Sequence, residues 1–256
     1  MNEDQFLIGN SVFGVFDGAT SLQKYVDEQG RTGGFLASHI TKGIFAKENA
    51  SLADLAQSAN QSLAQHMREQ NIDISDKVNL WATSIAAVSL HETYFKWITI
   101  SDSVIIALYE DGTHKMIGDY IDHDIETLRL KKMHAGHANI WTMIDQAILD
   151  DRRKMNIEYG VLDGEPEAVE FLQIGEESLE CVTDIIISTD GLFIPVEEPG
   201  MEDWNAFVNL YRQGGLRSIY TEVREREKSD PNMVKYTRFK MHDDIAAISL
   251  SFSSKS

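Results

Sequence analysis

Short apolar runs rich in β-branched and aromatic residues recur along this sequence and predict β-strands. The loops between them are short, and one contains Asp111–Gly112, a dipeptide that tolerates the positive φ of a tight hairpin turn. Neighbouring strands joined in this way pair antiparallel, so the pattern favours antiparallel sheet. The predicted strands span residues 6–8, 11–16, 81–90, 94–100, 104–109, 113–117, 184–189 and 245–252.

A different period marks the predicted helices. From Ser51 onward, apolar residues recur three and four positions apart as far as Met67, which is the stripe of an amphipathic helix. Ser51 is its predicted N-cap, and Asp54 is placed to complete a capping box. Further helices are predicted at 34–45, 140–155, 204–212 and 218–228. Because strands and helices form separate blocks without a linker-like tract, we expect one α+β domain over residues 1–256.

The charge balance argues against two classes of partner. The chain has 23 Lys and Arg against 41 Asp and Glu, a formal net charge of −18. Nucleic acid and anionic membrane surfaces would be repelled at long range. No stretch approaches the roughly 20 apolar residues that span a bilayer. The opening residues are acidic, unlike a signal peptide, and the single Cys181 excludes an internal disulfide. We therefore expect a soluble cytoplasmic protein, with its oligomeric state left open.

Acidic residues stand where apolar strands begin or end. Asp17 follows strand 11–16, Asp190 follows strand 184–189, and Asp243 directly precedes the last predicted strand. In antiparallel sheet the end of one strand lies beside the start of its neighbour, so these carboxylates can converge on one rim. Crowded carboxylates need a counter-charge, and hard oxygen ligands of this kind suit Mg²⁺ or Mn²⁺.

The alternative interpretation is that these acids belong to ordinary turns. Asp-Gly occurs four times, at residues 17, 111, 163 and 190, and taken alone each pair is more typical of a turn than of a ligand. The pairs at 17 and 190 differ from that at 111, because each closes a buried-looking strand and leads into an irregular segment. Glycine there allows close backbone approach, and the Gly18 carbonyl could itself coordinate a metal.

Five segments, in order, resemble the motifs of the metal-dependent protein phosphatase family, the protein phosphatase 2C type. An acidic opening motif at residues 2–4 precedes them, and Ala19 stands where the common eukaryotic branch has a histidine, so the chain is more similar to bacterial branches. The segments are VFGVFDGATS (12–21), WATSIAAVSL (81–90), ISDSVIIALYEDG (100–112), IIISTDGL (185–192) and MHDDIAAISLSF (241–252).

This resemblance implies a four-layer αββα sandwich, two packed antiparallel sheets flanked by helices, with two Mn²⁺ or Mg²⁺ ions at one end. By motif match, Asp17 would bridge both ions, the Gly18 carbonyl would bind the second, and Asp190 and Asp243 would hold the first. Glu3 and Asp4 would act mainly through metal-bound water.

The implied activity is hydrolysis of phosphomonoesters. The implied substrate is phosphoserine or phosphothreonine in a phosphorylated protein partner, and the implied role is signalling by dephosphorylation. Two divalent ions about 4 Å apart activate a bridging hydroxide as nucleophile, so catalysis by Asp17, Asp190 and Asp243 would proceed through metal-activated water. No nucleophilic side chain is needed.

Departures from the family pattern leave alternatives open. Asp102 matches a position that helps to bind a third metal, but Ile194 replaces a second acidic ligand, so a third ion is expected to be weak or absent. The Arg common shortly before the opening motif has no counterpart in this sequence, which puts phosphate affinity in question. The alternatives are a catalytically weak or inactive phosphatase-like binding module, and a hydrolase of small phosphorylated metabolites.

Histidines and a basic stretch complete the candidate chemistry. His134 and His137 have a spacing that could chelate a metal, although no third ligand is evident, and His123 resembles part of a short family motif that would lie at the surface or near the site. Residues 128–139 are basic for so acidic a chain. We interpret them as a flap that could meet a phosphorylated partner.

Overall fold

Two antiparallel sheets form the centre of the molecule. The computed structural model describes residues 1–19, 21–135 and 140–252, with only the backbone described at residue 141. The first sheet has the order β1-β2-β3-β4-β7 and the second the order β6-β5-β8-β9. The strands are β1 (Gln5–Ile8), β2 (Val12–Ala19), β3 (Ala82–Leu90), β4 (Tyr94–Ile100), β5 (Val104–Tyr109), β6 (His114–Ile117), β7 (Gln173–Ser178), β8 (Val182–Ser188) and β9 (Ala247–Ser251).

Helices cover the outer faces of both sheets. α1 and α2 pack on the first sheet, α5 and α6 pack on the second, and α3 and α4 contact each other. The expected sandwich of two antiparallel sheets flanked by helices is therefore confirmed. Among the described residues, no helix has both the length and the apolar character needed to cross a bilayer. The helices are α1 (Gly33–Phe45), α2 (Leu52–Glu69), α3 (Ile125–Met133), α4 (Ile140–Lys154), α5 (Trp204–Gly214) and α6 (Leu216–Ser229).

The central strands are apolar on both faces because each face meets a different layer. In β2, Val15 lies in the core between the sheets, while the next residue, Phe16, packs under α1 and α2. In β8, Ile185 and Ile187 face the other sheet, and Ile186 between them packs under α5 and α6. Successive strand residues point to opposite faces, so these runs of consecutive apolar residues are expected of strands buried on both sides.

Local sequence patterns predicted the start of α2, but they did not predict the strand β7 or the helix α3. The Ser51 Oγ accepts a hydrogen bond from the Asp54 backbone N–H at 3.2 Å, so the predicted N-cap of α2 is confirmed. The strand β7 was not predicted because its sequence, QIGEES, is largely polar and it lies at a sheet edge. Helix α3 was not predicted either, since its apolar periodicity is weak.

The hairpin of β1 and β2 is held at its turn by Glu48. Its carboxylate accepts hydrogen bonds from the backbone N–H groups of Asn10 and Ser11, both at 2.8 Å, and from that of Val12 at 3.3 Å. These backbone donors, chiefly that of Asn10, lower the pKa of Glu48 below its usual value. Both strands of this hairpin lead to acidic residues described below.

We expect the substitution Glu48→Ala to lower the free energy of unfolding by about 1–2 kcal/mol at pH 7, because it removes a charged acceptor from several donors. The pKa of Glu48 is lower in the folded than in the unfolded protein. The ionised Glu48 therefore stabilises the fold above its unfolded-state pKa, and this contribution is lost as the pH falls through its folded-state pKa. Urea unfolding at pH 7 and pH 3 measures both effects. Glu92→Ala, at an exposed position of the β3–β4 turn, is the control; an equal loss in both variants would contradict this role.

Candidate metal centre

The β1–β2 pairing brings two acidic residues together. β1 runs antiparallel to β2 with Gln5 opposite Phe16, so Asp4, just before β1, lies beside Asp17. Asp17 is within β2, which extends to residue 19, and does not end the strand as the sequence pattern predicted. This end of the first sheet therefore carries a carboxyl group from each strand of the hairpin.

The second sheet contributes acids at the same end of the sandwich. The last residue of β8 pairs with the first residue of β9. Asp190, two residues after β8, and Asp243, shortly before β9, consequently lie close together, and their charges act on one another. Asp102, in the turn between β4 and β5, acts on both Asp17 and Asp190. We call Asp4, Asp17, Asp102, Asp190 and Asp243 the carboxylate cluster.

Asp4 is the most enclosed member of the carboxylate cluster. It is 7% exposed, and its Oδ2 accepts a hydrogen bond from the Thr189 Oγ at 2.7 Å. Burial raises the pKa of Asp4 to about 7, against the lowering effect of hydrogen bonds from Thr189 and Asp17, and the charges of Asp243 and Asp244 raise it further. This carboxyl group therefore changes from its neutral to its ionised form near neutral pH.

The pKa values of Asp17 and Asp190 also lie well above the usual range. Burial is the largest cause for both. Negative charges add to it, chiefly those of Asp4 and Asp190 on Asp17, and those of Asp243 and Asp102 on Asp190. The two carboxyl groups also share a hydrogen bond. Ionising all of these groups together requires added positive charge.

The donor chemistry of the carboxylate cluster fits a hard divalent cation. Carboxylate oxygens are the preferred ligands of Mg²⁺, and they also suit Mn²⁺. Within the part of the chain that the structure describes, however, no three His, Cys, Asp or Glu side chains are already arranged to hold a metal ion. Instead the carboxyl groups hydrogen-bond one another. Because the pKa values of Asp4, Asp17 and Asp190 are raised, binding a cation would favour release of protons from these carboxyl groups.

Glu3 is placed differently from the carboxylate cluster. Its carboxylate accepts a hydrogen bond from the Thr32 Oγ at the start of α1, and its backbone carbonyl accepts one from Ser38. Gly18 packs against this arrangement: a Cβ there would clash with the Gly34 carbonyl and lie 2.7 Å from the Glu3 carbonyl. Glycine at residue 18 is thus required by close backbone approach, whether or not its carbonyl binds a cation.

Basic groups surround Asp243. Lys240 places its Nζ 2.8 Å from the Asp243 Oδ1, and the Arg224 guanidinium donates to the Asp243 backbone carbonyl at 2.7 Å. Arg224 also donates to both carboxylate oxygens of Glu227, at 2.9 and 2.7 Å. Lys240 had no signal in the sequence, since a lysine three residues from an aspartate is common on any surface.

A cavity of about 170 Å³ opens beside the carboxylate cluster. Three cluster members, Asp102, Asp190 and Asp243, line one side of it. The remaining lining combines aromatic and apolar side chains with further acids and one basic residue, Arg238, so the cavity is largely acidic and apolar. These wall residues include Tyr120, Asp122, Asp124, Phe193, Pro195 and Glu202.

His123 lies at the border of the carboxylate cluster. Its ring stacks on that of Tyr159 with centroids 4.3 Å apart, and its Nδ1 is 3.6 Å from the Asp102 Oδ2. The side chain is 18% exposed. The short motif around residue 123 therefore does lie beside the candidate site, and Tyr159, which the sequence analysis did not single out, orients the imidazole ring.

The structure describes the basic stretch at 128–139 only as far as residue 135. Its first part belongs to α3, where Lys131 is buried and donates to the Arg238 carbonyl at 2.5 Å. Lys132 donates to the Glu197 carbonyl at 2.6 Å and pairs with Glu198. Both side chains thus contact the protein itself. Residues 136–139, including His137 of the possible His134–His137 chelate, lie outside the described residues.

Comparison with known proteins identifies the fold. No protein-family model matches the sequence, and no curated protein matches it either. Solved structures do match over nearly the whole chain. A bacterial serine phosphatase is 14% identical with a TM-score of 0.60, covering 100% of this chain and 94% of that one.

Two further structures are equally informative. The catalytic domain of the serine/threonine protein phosphatase PstP, in complex with two manganese ions, is 14% identical with a TM-score of 0.57, covering 98% of this chain and 93% of that one. The serine/threonine phosphatase Stp1 from Staphylococcus aureus is 13% identical with a TM-score of 0.59, covering 99% and 90%. The chain therefore has the fold of bacterial phosphatases of the protein phosphatase 2C type, as the motif resemblance implied.

We expect Asp4→Asn to stabilise the metal-free protein at pH 8 by about 1–3 kcal/mol, because it removes a charge that burial disfavours. The folded-state pKa of Asp4 is raised to about 7 from 3.8. The folded protein with Asp4 is therefore destabilised as the pH rises between these values, so the gain is complete above about pH 7 and vanishes below about pH 4. Thermal unfolding in the presence of a chelator measures it.

Asp111→Asn is the matched control for this stability prediction. Asp111 lies in the β5–β6 turn, where its pKa is lowered by hydrogen bonds from the Thr113 side chain and backbone. Its amide variant should not stabilise the protein at any pH. A stabilisation of Asp4→Asn that does not change between pH 4 and pH 8 would show that the charge of Asp4 is not the cause.

Proposed function

We propose that this chain, which has the fold of the protein phosphatase 2C type, is a Mn²⁺- or Mg²⁺-dependent phosphomonoester hydrolase acting on phosphoserine or phosphothreonine in proteins. The observation that carries the proposal is the carboxylate cluster: five acids from separate parts of the chain meet at one end of the sandwich, beside an open cavity. Structural neighbours that are serine/threonine phosphatases, one of them with two manganese ions, support it.

The residues that would hold two ions are Asp17, the Gly18 carbonyl, Asp190 and Asp243, with Asp4 and Glu3 acting through water. The contacts of Asp4 with Asp17 and Thr189 favour Asp4 over Glu3 for this role, because the Glu3 carboxylate is engaged with Thr32. When bound, the ions would supply an activated water and neutralise phosphoryl oxygens during in-line displacement.

The protein's own contribution is to hold the ligands and to shape the cavity. Asp17 and Asp190 are already close enough to share a hydrogen bond, and cation binding would replace that bond by coordination to the ion. Tyr120 and Phe193, whose rings meet edge to face with centroids 5.5 Å apart, form an apolar wall that can exclude water from the reacting phosphoester. The Ala19 side chain has no acidic group, so the leaving alkoxide would take its proton from another source.

One observation favours the second candidate, a phosphatase-like module that binds without turnover. Ile194 stands where the family pattern has an acidic ligand, and it is 5% exposed within the apolar core under α5 and α6. A third cation would therefore lack a ligand on this side, with Asp102 alone left to hold it. Turnover of a phosphorylated substrate separates the two candidates.

We expect hydrolysis of an aryl phosphate and of a phosphothreonine peptide to require Mn²⁺ and to stop with a chelator. Asp17→Asn and Asp190→Asn should each reduce the rate by more than about 100-fold, since even changes behind metal ligands cost 10–100-fold. The control for buried charge is Asp163→Asn: Asp163 is a buried aspartate outside the carboxylate cluster, its Oδ1 accepts a hydrogen bond from Asn156, and the variant should retain activity. Activity that survives both the chelator and Asp17→Asn would refute the proposal.

Calorimetric titration tests the cation site without turnover. We expect two Mn²⁺ ions per chain above pH 8 and weaker binding with proton release as the pH falls below about 7, because the pKa of Asp4 is raised to about 7 and its proton must leave. Asp190→Asn should lose at least one ion. Metal binding with two ions but no phosphate release from either substrate would identify the non-catalytic module.

A further inference from the structure

We infer that Lys240 is a phosphate-binding residue, whose ammonium group contacts the phosphoryl group of the substrate at the exposed edge of the carboxylate cluster. The inference rests on the proposed function, because it assigns a role at the same site. Its starting observation is geometric: the Lys240 Nζ lies 2.8 Å from the Asp243 Oδ1, at the border of the candidate centre.

The charge of Lys240 reaches beyond its immediate partner. A lysine amine ordinarily has a pKa of about 10.4, and the charges of Asp243, Asp17 and Asp190 act on the Lys240 ammonium group. The ammonium group is therefore positively charged at any physiological pH and lies within the field of the buried acids. An anion at the same edge would meet this positive charge first.

The segment that carries Lys240 is held in place next to the cavity, which Thr237, Arg238 and Phe239 line. The guanidinium of Arg238 donates to the backbone carbonyls of Asp230 at 2.7 Å, Tyr236 at 2.9 Å and Glu227 at 3.1 Å. It also lies 3.2 Å from the Asp230 carboxylate. These bonds tie the irregular segment before β9 to the end of α6, so the Cα of Lys240 has a defined place although its side chain is 54% exposed.

Other basic side chains near the cavity are already committed. Arg224 holds the Glu227 carboxylate and the Asp243 carbonyl, Arg238 holds the segment described above, and Lys131 donates to the Arg238 carbonyl. Moving any of them would break several bonds. Lys240 has a flexible four-carbon stem and an exposed ammonium, so it can turn toward a substrate at little cost.

Cation binding would release Lys240 from its present partner. If Asp243 becomes a ligand of a divalent ion, its charge is neutralised and it attracts the ammonium group less strongly. A phosphate dianion held next to that ion is then the stronger partner for Lys240. This would give a chain with net charge −18 a local cation for an anionic substrate.

The test compares Lys240→Met with Lys240→Arg and with the control Lys235→Met. Lys235 is similarly exposed, at 56%, and pairs with Glu197 at 3.5 Å. We expect Lys240→Met to raise KM for the phosphothreonine peptide roughly tenfold with kcat changed less than about threefold, because a charge-assisted contact is lost from substrate binding. Lys240→Arg should restore most of the loss, and Lys235→Met should match the parent protein.

Two measurements without turnover complete the test. Calorimetry should show roughly tenfold weaker binding of inorganic phosphate to the Mn²⁺-loaded Lys240→Met variant, with Mn²⁺ affinity equal to or higher than that of the parent, since Asp243 loses a competing cation. Unchanged phosphate binding would overturn the inference, and so would a loss of Mn²⁺ affinity parallel to the loss of phosphate binding. A parent protein that binds phosphate through Lys240 but releases none from substrates would contradict the proposed function alone.

Discussion

The functional end of this molecule depends on one constraint: several carboxyl groups are buried together, and their mutual repulsion adds to the cost of burial. Asp4, Asp17 and Asp190 come from three different stretches of chain, and their pKa values all lie above the normal range, chiefly because of burial. Charged groups at such proximity destabilise the fold that gathers them. The surrounding sandwich, with its three apolar layers of contact between helices and sheets, supplies the stability that keeps them together.

The architecture explains how that concentration of charge arises. Hydrogen-bonded pairing fixes the register of β1 with β2 and of β8 with β9, and these registers place Asp4 beside Asp17 and Asp190 beside Asp243. The first pair lies on one sheet and the second on the other. The hydrogen bond from Thr189 to Asp4 joins the two sheets at this end. The cluster is thus a product of sheet register, and a one-residue slip in the pairing of β1 with β2 or of β8 with β9 would separate its members.

Much of the fold was predictable because the central strands are apolar on both faces and stand out as uninterrupted runs. The polar edge strand β7 carries no such signal, and α3 presents little apolar periodicity, so both were missed. At the candidate centre, the strand-end context of Asp190 and Asp243 predicted their convergence. The distinct surroundings of Asp4 and Glu3 depend on contacts across more than 180 residues of sequence, which no local pattern encodes.

The bond between the Glu3 backbone N–H and the Asp244 carboxylate, at 2.7 Å, joins residues separated by 241 positions. The centre therefore cannot assemble fully during synthesis until residue 244 has left the ribosome. Until then the β1–β2 hairpin, with Asp4 and Asp17, can form without the added negative charge of Asp190 and Asp243 from the second sheet. Formation of the contact between Glu3 and Asp244 is a long-range event, and contacts of this kind slow folding.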